Sequence, residues 1–335
     1  MEHSTPILIT GGAGFIGANL VHKLIRDGHT TVHVLIEENS DLWRLQPARN
    51  NLTLHEITLT DHTGIRHLIQ SIKPTHIFHL ASYGGMPHQN DQKTIYDVNF
   101  YGTINLLNAC KEIGFECFIN TGSSSEYGIK DCPLHEQMLL EPVSDYGVAK
   151  AAATQFCLKE ALFNKLPVYT IRPFSVYGDY EMPTRLIPTI LANALQGTPI
   201  NLSSPASVRD FIYIEDMIEL YCAVAQKPPH TMYVLNGGTG IQSTIHDVVD
   251  TVEKLIGKKL IINWGSSTPR PWEPRSWRAD STQTQTHTGW TPLYTLQEGL
   301  SNSLIWFAQH IAHYTRKDTH DIAQSSYRQT TITSL

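Results

Sequence analysis

Short apolar runs rich in β-branched residues alternate with stretches of helical period over the first 173 residues. The runs have the length of strands, and the stretches between them repeat apolar residues every three or four positions. The predicted strands cover residues 7–10, 32–36, 52–57, 77–82, 117–122 and 168–172, and the predicted helices cover 15–27, 61–73, 98–113 and 145–165. This alternation is typical of a Rossmann-type, doubly wound α/β fold, whose parallel sheet is buried on both faces.

The regular alternation ends at residue 178. Prolines and a Pro/Trp-rich stretch at 269–277 interrupt the shorter elements that follow. We therefore predict a first domain at residues 1–178, a smaller C-terminal domain at 179–313, some of whose segments could return to the first, and a frayed polar tail at 314–335. A second domain placed in this way would close over the carboxyl ends of the strands, where open α/β sheets bind their ligands.

Composition and charge narrow the class of partner. The chain has 335 residues, of which 41% are hydrophobic and 17% charged, and its net charge is -6. These values are typical of a soluble enzyme, and the lack of a basic surplus argues against nucleic-acid binding. No apolar segment reaches membrane-spanning length, and the N-terminal run at 6–10 is too short for a signal peptide. We expect a small-molecule partner and no membrane association.

The cysteines and histidines indicate neither a disulfide framework nor a metal centre. The five cysteines show no paired spacing, which favours a reducing compartment, so we expect a cytoplasmic protein. Among the 17 histidines, His76 and His79 lie three apart in a predicted strand and so point to opposite faces. His310 and His313 have no acidic ligand nearby in the sequence. We therefore predict no metal site.

A Gly-x-x-Gly-x-x-Gly sequence joins the first predicted strand to the first predicted helix. Gly11 would permit a tight turn, Gly14 would let the backbone approach a pyrophosphate, and Gly17 would let the helix pack closely on the strand. The helix N-terminus, with Phe15 and Ile16, would then face the phosphates. A glycine spacing alone could be a flexible turn, but its position between a strand and a helix predicts a dinucleotide cofactor.

The second predicted strand ends just before Glu37, twenty positions after Gly17. A carboxylate at this point can hydrogen-bond the adenosine ribose, and it would repel the 2′-phosphate of NADP. The next cation along the chain is Arg44. The sequence therefore favours NAD over NADP, although an exposed loop carboxylate would have the same pattern.

Tyr146 and Lys150 lie four positions apart at the start of a predicted helix, with Ser144 or Asp145 as its N-cap. The spacing puts both side chains on one helix face, and a neighbouring ammonium would lower the pKa of the phenol. A phenol tuned in this way can exchange a hydroxyl proton while hydride moves to or from nicotinamide. The same spacing is also common on exposed helix faces.

Several ordered motifs make the chain resemble the extended short-chain dehydrogenase/reductase family, in its branch of nucleotide-sugar epimerases and reductases. The resemblance spans residues 6 to about 305. The motifs are TGGAGFIG at 10–17, HLAS at 79–82, DVNFYGTINLL at 97–107, TGSSSEYG at 121–128, YGVAK at 146–150, RPFSVYG at 172–178, RDFIYIEDM at 209–217 and GW at 289–290.

The resemblance implies roles for individual residues and a homodimeric assembly. Ser123 would complete a catalytic set with Tyr146 and Lys150, and Lys150 would also hold the nicotinamide ribose. Asn99 would brace the central helix, unless it only caps a helix or fills the core. The cofactor would further contact Asp61, Leu80, Ala81, Ser82, Asn99, Tyr146 and Pro173. A nucleoside-diphosphate sugar would contact Tyr83, Ser124, Ser125, Ser175, Arg209 and Arg270. The two arginines could instead form surface salt bridges with Asp210 or Glu273.

Some positions depart from the family pattern. Dehydratases of this branch have Asp-Glu after the catalytic hydroxyl residue, where this chain has Ser124 and Ser125, so we do not expect water elimination. Glu126, one position later, resembles the GDP-deoxymannose reductase motif and favours 4-keto reduction. Thr58 replaces an Asp that often contacts adenine, and Ser175 replaces a common Asn.

Three functions remain open from the sequence. We favour a nucleoside-diphosphate-hexose C4 epimerase, in which NAD takes hydride and returns it to the other face of a 4-keto sugar. The alternative enzyme is a 4-reductase of nucleoside-diphosphate 4-keto-6-deoxyhexoses. A dinucleotide-sensing regulator without chemistry is opposed by the intact Tyr146 and Lys150 pair.

Overall fold

A seven-stranded parallel sheet forms the centre of the protein. The computed structural model describes residues 1–226, 231–266 and 274–314. The strands of this sheet are β1 (Ile7–Thr10), β2 (Val32–Ile36), β3 (Thr53–Glu56), β4 (His76–His79), β5 (Cys117–Thr121), β6 (Val168–Pro173) and β11 (Val234–Gly237). Their order is β11-β6-β5-β4-β1-β2-β3, and every neighbouring pair is parallel. The predicted doubly wound fold is confirmed.

Six of these strands coincide with the predicted ones, and their ends differ by up to three residues. The prediction extended the fourth strand to residue 82, but β4 ends at His79. The N–H of Leu80 still donates to the carbonyl of Thr10, at 3.1 Å, whereas the N–H of Ala81 donates to the Thr10 hydroxyl, at 3.2 Å. A side chain thus replaces the backbone partner, and the strand ends there.

The seventh strand, β11, comes from beyond residue 178 and was not predicted. Its four residues pair with β6, and Gly237 lies opposite Pro173. A four-residue run without periodicity carries too weak a signal to identify a strand from sequence. The strand links the second half of the chain directly to the main sheet.

Helices pack on both faces of the sheet. The helices between the first six strands are α1 (Phe15–Arg26), α2 (His62–Ile72), α3 (Gln92–Tyr96), α4 (Gly102–Ile113) and α5 (Asp145–Phe163). The prediction for 98–113 began too late, because a π-helical turn at Asp97–Tyr101 joins α3 to α4. Asp91 caps α3 by accepting the N–H of Thr94 at 2.8 Å, which starts the helix early.

The second half of the chain adds short strand pairs and further helices. The strands are β7 (Ser175–Tyr177), β8 (Ile200–Leu202), β9 (Val208–Arg209), β10 (Phe211–Tyr213), β12 (Ser243–Thr244) and β13 (Ile262–Trp264). Here β7 pairs with β10, β8 with β13 and β9 with β12. The helices are α6 (Leu186–Gln196), α7 (Ile214–Gln226), α8 (Ile245–Ile256), α9 (Thr282–Thr288) and α10 (Leu296–His310).

One apolar core connects the two halves of the chain. Side chains of β1 and β2 belong to the same buried cluster as side chains of α7, α8 and α10. Phe78 of β4, for example, lies edge-on to Tyr221 of α7, with ring centres 6.5 Å apart. Within the three described ranges, no helix is both long and apolar enough to cross a membrane. Almost all of the predicted tail, from residue 315, lies outside the described residues.

Candidate active site

The glycine sequence between β1 and α1 forms a tight turn against the end of β4. Gly11 has a φ of +69°, and a Cβ atom there would lie 2.6 Å from the backbone nitrogen of Ala81. A Cβ atom on Gly17 would lie 2.2 Å from the carbonyl oxygen of Gly11. Gly17 therefore allows the helix to approach the turn itself, whereas we had expected it to approach the strand.

The N-terminus of α1 has the properties of an anion-binding site. Gly14 is the N-cap, no side chain caps the helix, and a Cβ atom on Gly14 would meet only the carbonyl oxygen of Gly11, at 3.1 Å. The first N–H groups of a helix, here those of Phe15, Ile16 and Gly17, have no intrahelical acceptor, and the helix dipole favours negative charge beside them. The open face at Gly14 thus fits a cofactor pyrophosphate.

Glu37 and Arg44, the residues that bear on the choice of cofactor, have different surroundings. Glu37 follows β2 and is exposed, and its pKa is raised because nearby protein atoms desolvate the carboxylate, although Thr58 and the N–H of Leu59 hydrogen-bond it. Arg44 is buried, and its Nε donates to the carbonyl of Tyr180 at 2.7 Å. Arg44 is therefore held inside the protein. It does not offset the repulsion between Glu37 and the 2′-phosphate of NADP.

We expect this protein to bind NAD(H) at least about tenfold more tightly than NADP(H), because Glu37 repels the 2′-phosphate. Titration of the purified protein with each dinucleotide measures the ratio. Glu37→Gln should lower this preference for NAD(H). Glu38→Gln, at the neighbouring exposed carboxylate, is the matched control. Equal or tighter binding of NADP(H) by the unaltered protein would contradict the assignment.

Asp61 and Asn99, two further predicted cofactor residues, each have partners inside the protein. The carboxylate of Asp61 caps α2 by accepting the N–H of Gly64 at 2.9 Å. The amide of Asn99 is buried; it donates to the carbonyls of Tyr83 and Ile95, at 2.6 and 2.8 Å, and accepts the N–H of Tyr83 at 3.3 Å. Asn99 thus fixes the backbone that follows β4, next to the exposed Ser82. The roles of Asp61, Ser82 and Asn99 toward the cofactor stay predictions.

Tyr146 and Lys150 lie in the first turns of α5. Ser144 caps this helix by accepting the N–H of Gly147 at 3.1 Å. The Nζ atom of Lys150 lies 5.9 Å from the centre of the Tyr146 ring and donates to the carbonyl of Thr121, at the end of β5, at 2.9 Å. The buried lysine thereby ties the start of α5 to the carboxyl end of the sheet.

Ser123 reaches the same point from β5. Its hydroxyl accepts the N–H of Ser125 at 3.1 Å and caps a 3-10 turn at Ser124–Glu126, and its interaction with the phenol of Tyr146 lowers the pKa of that phenol. The structure therefore brings Ser123, Tyr146 and Lys150 together at the carboxyl end of the sheet. Their catalytic roles stay predictions.

Burial dominates the electrostatics of this group. It raises the pKa of the Tyr146 phenol, and the charge of Arg185 and the hydrogen bond from Ser123 act against it. Burial also lowers the pKa of Lys150 to about 8, against the opposing charge of Glu126. We had predicted that Lys150 would lower the pKa of Tyr146; instead burial prevails, and the charge that most opposes it belongs to Arg185, which the sequence analysis missed.

Glu126, which resembled a reductase motif, is a buried structural carboxylate. It is 0% exposed, and it accepts Arg172 Nε at 2.8 Å, the Thr154 hydroxyl at 3.0 Å and the N–H of Ser123 at 2.8 Å. All these partners belong to the protein. Glu126 therefore supports the turn that presents Ser123 and is not placed as an acid or base toward a substrate.

The predicted cofactor residue Pro173 and the predicted substrate residues Ser175 and Arg209 lie where β6, β7 and β9 end or begin. Pro173 ends β6, and the N–H of Ser175 donates to the carbonyl of Asp210 at 2.9 Å. Arg209 ends β9, and its Nη1 donates to the carbonyl of Val208 at 2.5 Å. Arg270 lies outside the described residues. The substrate contacts predicted for Tyr83, Ser124, Ser125, Ser175, Arg209 and Arg270 stay predictions.

His79 and His310 each have a structural partner. Both nitrogens of buried His79 lie within hydrogen-bond distance of hydroxyls, Thr10 at 2.7 Å and Thr103 at 2.9 Å, and burial lowers its pKa to about 3. The ring of His310 stacks on Trp306, with centres 4.1 Å apart. In the part of the chain that the structure describes, no group of three or more metal-ligating side chains converges.

Comparison with known proteins identifies the family. The sequence profile of the NAD dependent epimerase/dehydratase family matches residues 7–235, more than half of the chain. The chain belongs to this family. The predicted resemblance, the enzyme class and the expected NAD cofactor are therefore confirmed at the level of the family.

The individual relatives share between a quarter and a third of their residues with this chain. An uncharacterized UDP-glucose epimerase of Bacillus subtilis is 27% identical over 90% of this chain and 98% of its own length. A trifunctional dehydratase, epimerase and UDP-4-keto-L-rhamnose reductase of Arabidopsis thaliana is 29% identical over 92% of this chain, which matches 48% of that larger protein. The crystal structure of UDP-glucuronic acid 4-epimerase from Bacillus cereus, with UDP-glucuronic acid and NAD, is 27% identical and superposes with a TM-score of 0.81, covering 91% of this chain and 100% of that one.

Proposed function

We propose that this member of the family is an NAD-dependent nucleoside-diphosphate-hexose 4-epimerase. The observation that carries the proposal is the convergence of Ser123, Tyr146 and Lys150 at the carboxyl end of the sheet. The uncapped N-terminus of α1 begins at the same end, so that a dinucleotide held there reaches the phenol.

Bound NAD supplies the acceptor, and later the donor, of a hydride at C4 of the sugar. The hydroxyl of Ser123 and the phenol of Tyr146 hold the C4 oxygen between them. Tyr146 as phenolate takes the hydroxyl proton when the 4-keto sugar forms, and it returns that proton when the hydroxyl is restored. Lys150 keeps α5 and β5 in register and offers its ammonium to the nicotinamide ribose.

The substrate class rests on the residues around this centre. The sugar and its diphosphate would contact Tyr83, Ser124, Ser125 and Ser175. Asn99 fixes the backbone of Tyr83 among them. Arg209 and Arg270 would bind the phosphates, because a guanidinium offers two parallel donors to phosphate oxygens.

A 4-reductase of nucleoside-diphosphate 4-keto-6-deoxyhexoses is the second candidate. The TGSSSEYG stretch and the reductase activity in the name of the Arabidopsis relative favour it. Against it, Glu126, whose position resembled the reductase motif, is fully buried and offers no acid or base to a bound substrate. Retained NAD suits an epimerase, since its reaction consumes no reduced cofactor.

We expect inversion at C4 of a saturated nucleotide hexose without net change in reduced nicotinamide. A panel of nucleotide hexoses and 4-keto-6-deoxyhexoses is offered to the purified protein, the absorbance of reduced nicotinamide is followed, and the products are analysed for inversion. Stoichiometric consumption of NAD(P)H with a 4-keto substrate, and no inversion of any saturated hexose, would replace the epimerase with the reductase.

We also propose a cytoplasmic homodimer. All five cysteines are free thiols, which fits a reducing compartment. Helix α5 and the π-helical turn between α3 and α4 leave large apolar side chains exposed, namely Tyr101 in the turn and Val148, Leu162 and Phe163 in the helix. Exposed apolar side chains on neighbouring helices are typical of a subunit interface.

A further inference from the structure

Arg185 stands at the N-cap of α6 with its guanidinium exposed. Its Nη2 atom lies 3.9 Å from the point at which a side chain on Gly85 would begin. Among the described residues its side chain forms no hydrogen bond or salt bridge, although its charge acts to lower the pKa of buried Glu181. The guanidinium is therefore available to act on whatever lies beside the Gly84-Gly85 loop.

The group beside this loop is Tyr146. A Cβ atom on Gly84 would lie 3.4 Å from the Cδ2 atom of the Tyr146 ring. A side chain on Gly84 would meet the ring of Tyr146, and one on Gly85 would begin close to the end of Arg185, so this loop of two glycines leaves the space between them unfilled. The loop itself is fixed by Asn99, which binds both backbone groups of Tyr83.

In the described part of the chain, four titratable or charged groups lie beside Tyr146 or act on its charge, namely Lys150, Glu126, Tyr221 and Arg185, and Arg185 is the guanidinium among them. Lys150 donates to the carbonyl of Thr121, and burial lowers its pKa to about 8 against the opposing charge of Glu126. Glu126 raises the pKa of the phenol, and Tyr221 is uncharged over that range because burial raises its own pKa. Arg185 lowers the pKa of the phenol and cannot be deprotonated in a protein.

We propose that Arg185 is a positioning residue that acts through Tyr146, as the second cation that stabilises its phenolate across the Gly84-Gly85 loop. The inference deepens the proposed function, because it names the group that sets the acidity of the catalytic phenol. Lys150, which ties α5 to β5 and offers its ammonium to the nicotinamide ribose, is the first cation beside the phenol. The charge of Arg185 thus favours the phenolate form of Tyr146, which exchanges a proton with the sugar hydroxyl.

The first test is the pH profile of kcat/KM in Arg185→Gln and Arg185→Lys. Loss of the positive charge should move the acidic limb upward by about 1 pH unit and lower kcat/KM about tenfold below that limb. The lysine variant should keep most of the original profile, because it restores a cation at the same place. Arg66→Gln, which removes an exposed arginine paired with Glu112 on the outer surface, is the matched control and should leave the profile unchanged.

A raised KM with an unchanged acidic limb in Arg185→Gln would overturn the proposal and make Arg185 a substrate-binding residue instead. Glu181 requires a separate variant, because it lies near Arg185, is buried, and has a pKa raised to about 8 by that burial. Glu181→Gln mimics the protonated carboxyl and should leave the acidic limb in place. An equal upward movement in Glu181→Gln would assign the limb to that carboxyl and would also overturn the proposal.

A second readout is independent of the reaction. Ultraviolet difference titration reports ionisation of the Tyr146 phenol when the signal of the corresponding Tyr146→Phe protein is subtracted. The phenol should titrate at higher pH in Arg185→Gln than in the unaltered chain. This result would stand even if no epimerase substrate were found, so failure of the proposed function and failure of this inference are distinguishable. Identical titration in both proteins would refute the role of Arg185.

Discussion

Replacement of Tyr146 by phenylalanine is expected to lower turnover by about 10²–10⁴-fold while dinucleotide binding is retained. The phenol interacts with the side chain of Ser123, and the centre of its ring lies 5.9 Å from Nζ of Lys150. Phenylalanine keeps the ring and its packing but has no group that can exchange a proton. The loss should therefore appear in kcat, and titration with NAD should be unaffected.

The matched control for this variant is Tyr101→Phe, which removes a phenol from an exposed side chain outside the catalytic group. Its kcat should equal that of the unaltered protein. Turnover that survives intact in Tyr146→Phe would remove Tyr146 from the mechanism, and with it the reason for proposing an oxidoreductase site at this end of the sheet.

Replacement of Arg172 by methionine is expected to lower the free energy of unfolding by about 3–5 kcal/mol. Arg172 is 1% exposed, and it donates to Glu126 at 2.8 Å and to the phenolic oxygen of Tyr127 at 3.0 Å. Without the guanidinium, the buried Glu126 carboxylate loses the cation that hydrogen-bonds it. Denaturant unfolding curves of the variant and the unaltered protein measure the difference.

Two further variants show whether the loss of stability in Arg172→Met comes from the unpaired buried charge or from disrupted packing. Arg172→Met combined with Glu126→Gln removes both charges, and it should recover part of the stability that Arg172→Met loses. Arg66→Met breaks the exposed pair with Glu112 and should cost less than about 1 kcal/mol. A loss in Arg172→Met no larger than that of Arg66→Met would show that the pair with Glu126 does not hold the interior together.

Glu126 also shows that a residue in a motif can have a structural role that only its tertiary contacts reveal. Its place after three serines resembled a reductase motif, and a carboxylate near a catalytic hydroxyl is a plausible acid or base. The sequence does not reveal that Arg172, on a different strand, lies within hydrogen-bond distance. Once that pair is seen, the carboxylate becomes a support for the backbone of Ser123.

The sequence by itself determined the fold class, the cofactor turn and the Tyr146 and Lys150 pair. Each of these is a local feature: strand and helix periods, glycines at fixed spacing between a strand and a helix, and two side chains one helical turn apart. Local patterns of this kind specify structure over a few residues, and they need no knowledge of which distant segments meet.

Only the tertiary structure decided which side chains act on one another. It buried Arg44 with the carbonyl of Tyr180 as its partner, placed Glu126 against Arg172 and added the unpredicted strand β11 to the sheet. It also brought Arg185 beside the glycine loop that lies next to Tyr146. These contacts join residues far apart in the chain, and the desolvation and charge that set a pKa depend on every atom packed around the group. Neither the partners nor the electrostatics of the site follow from spacing along the sequence, because both are properties of the packed interior.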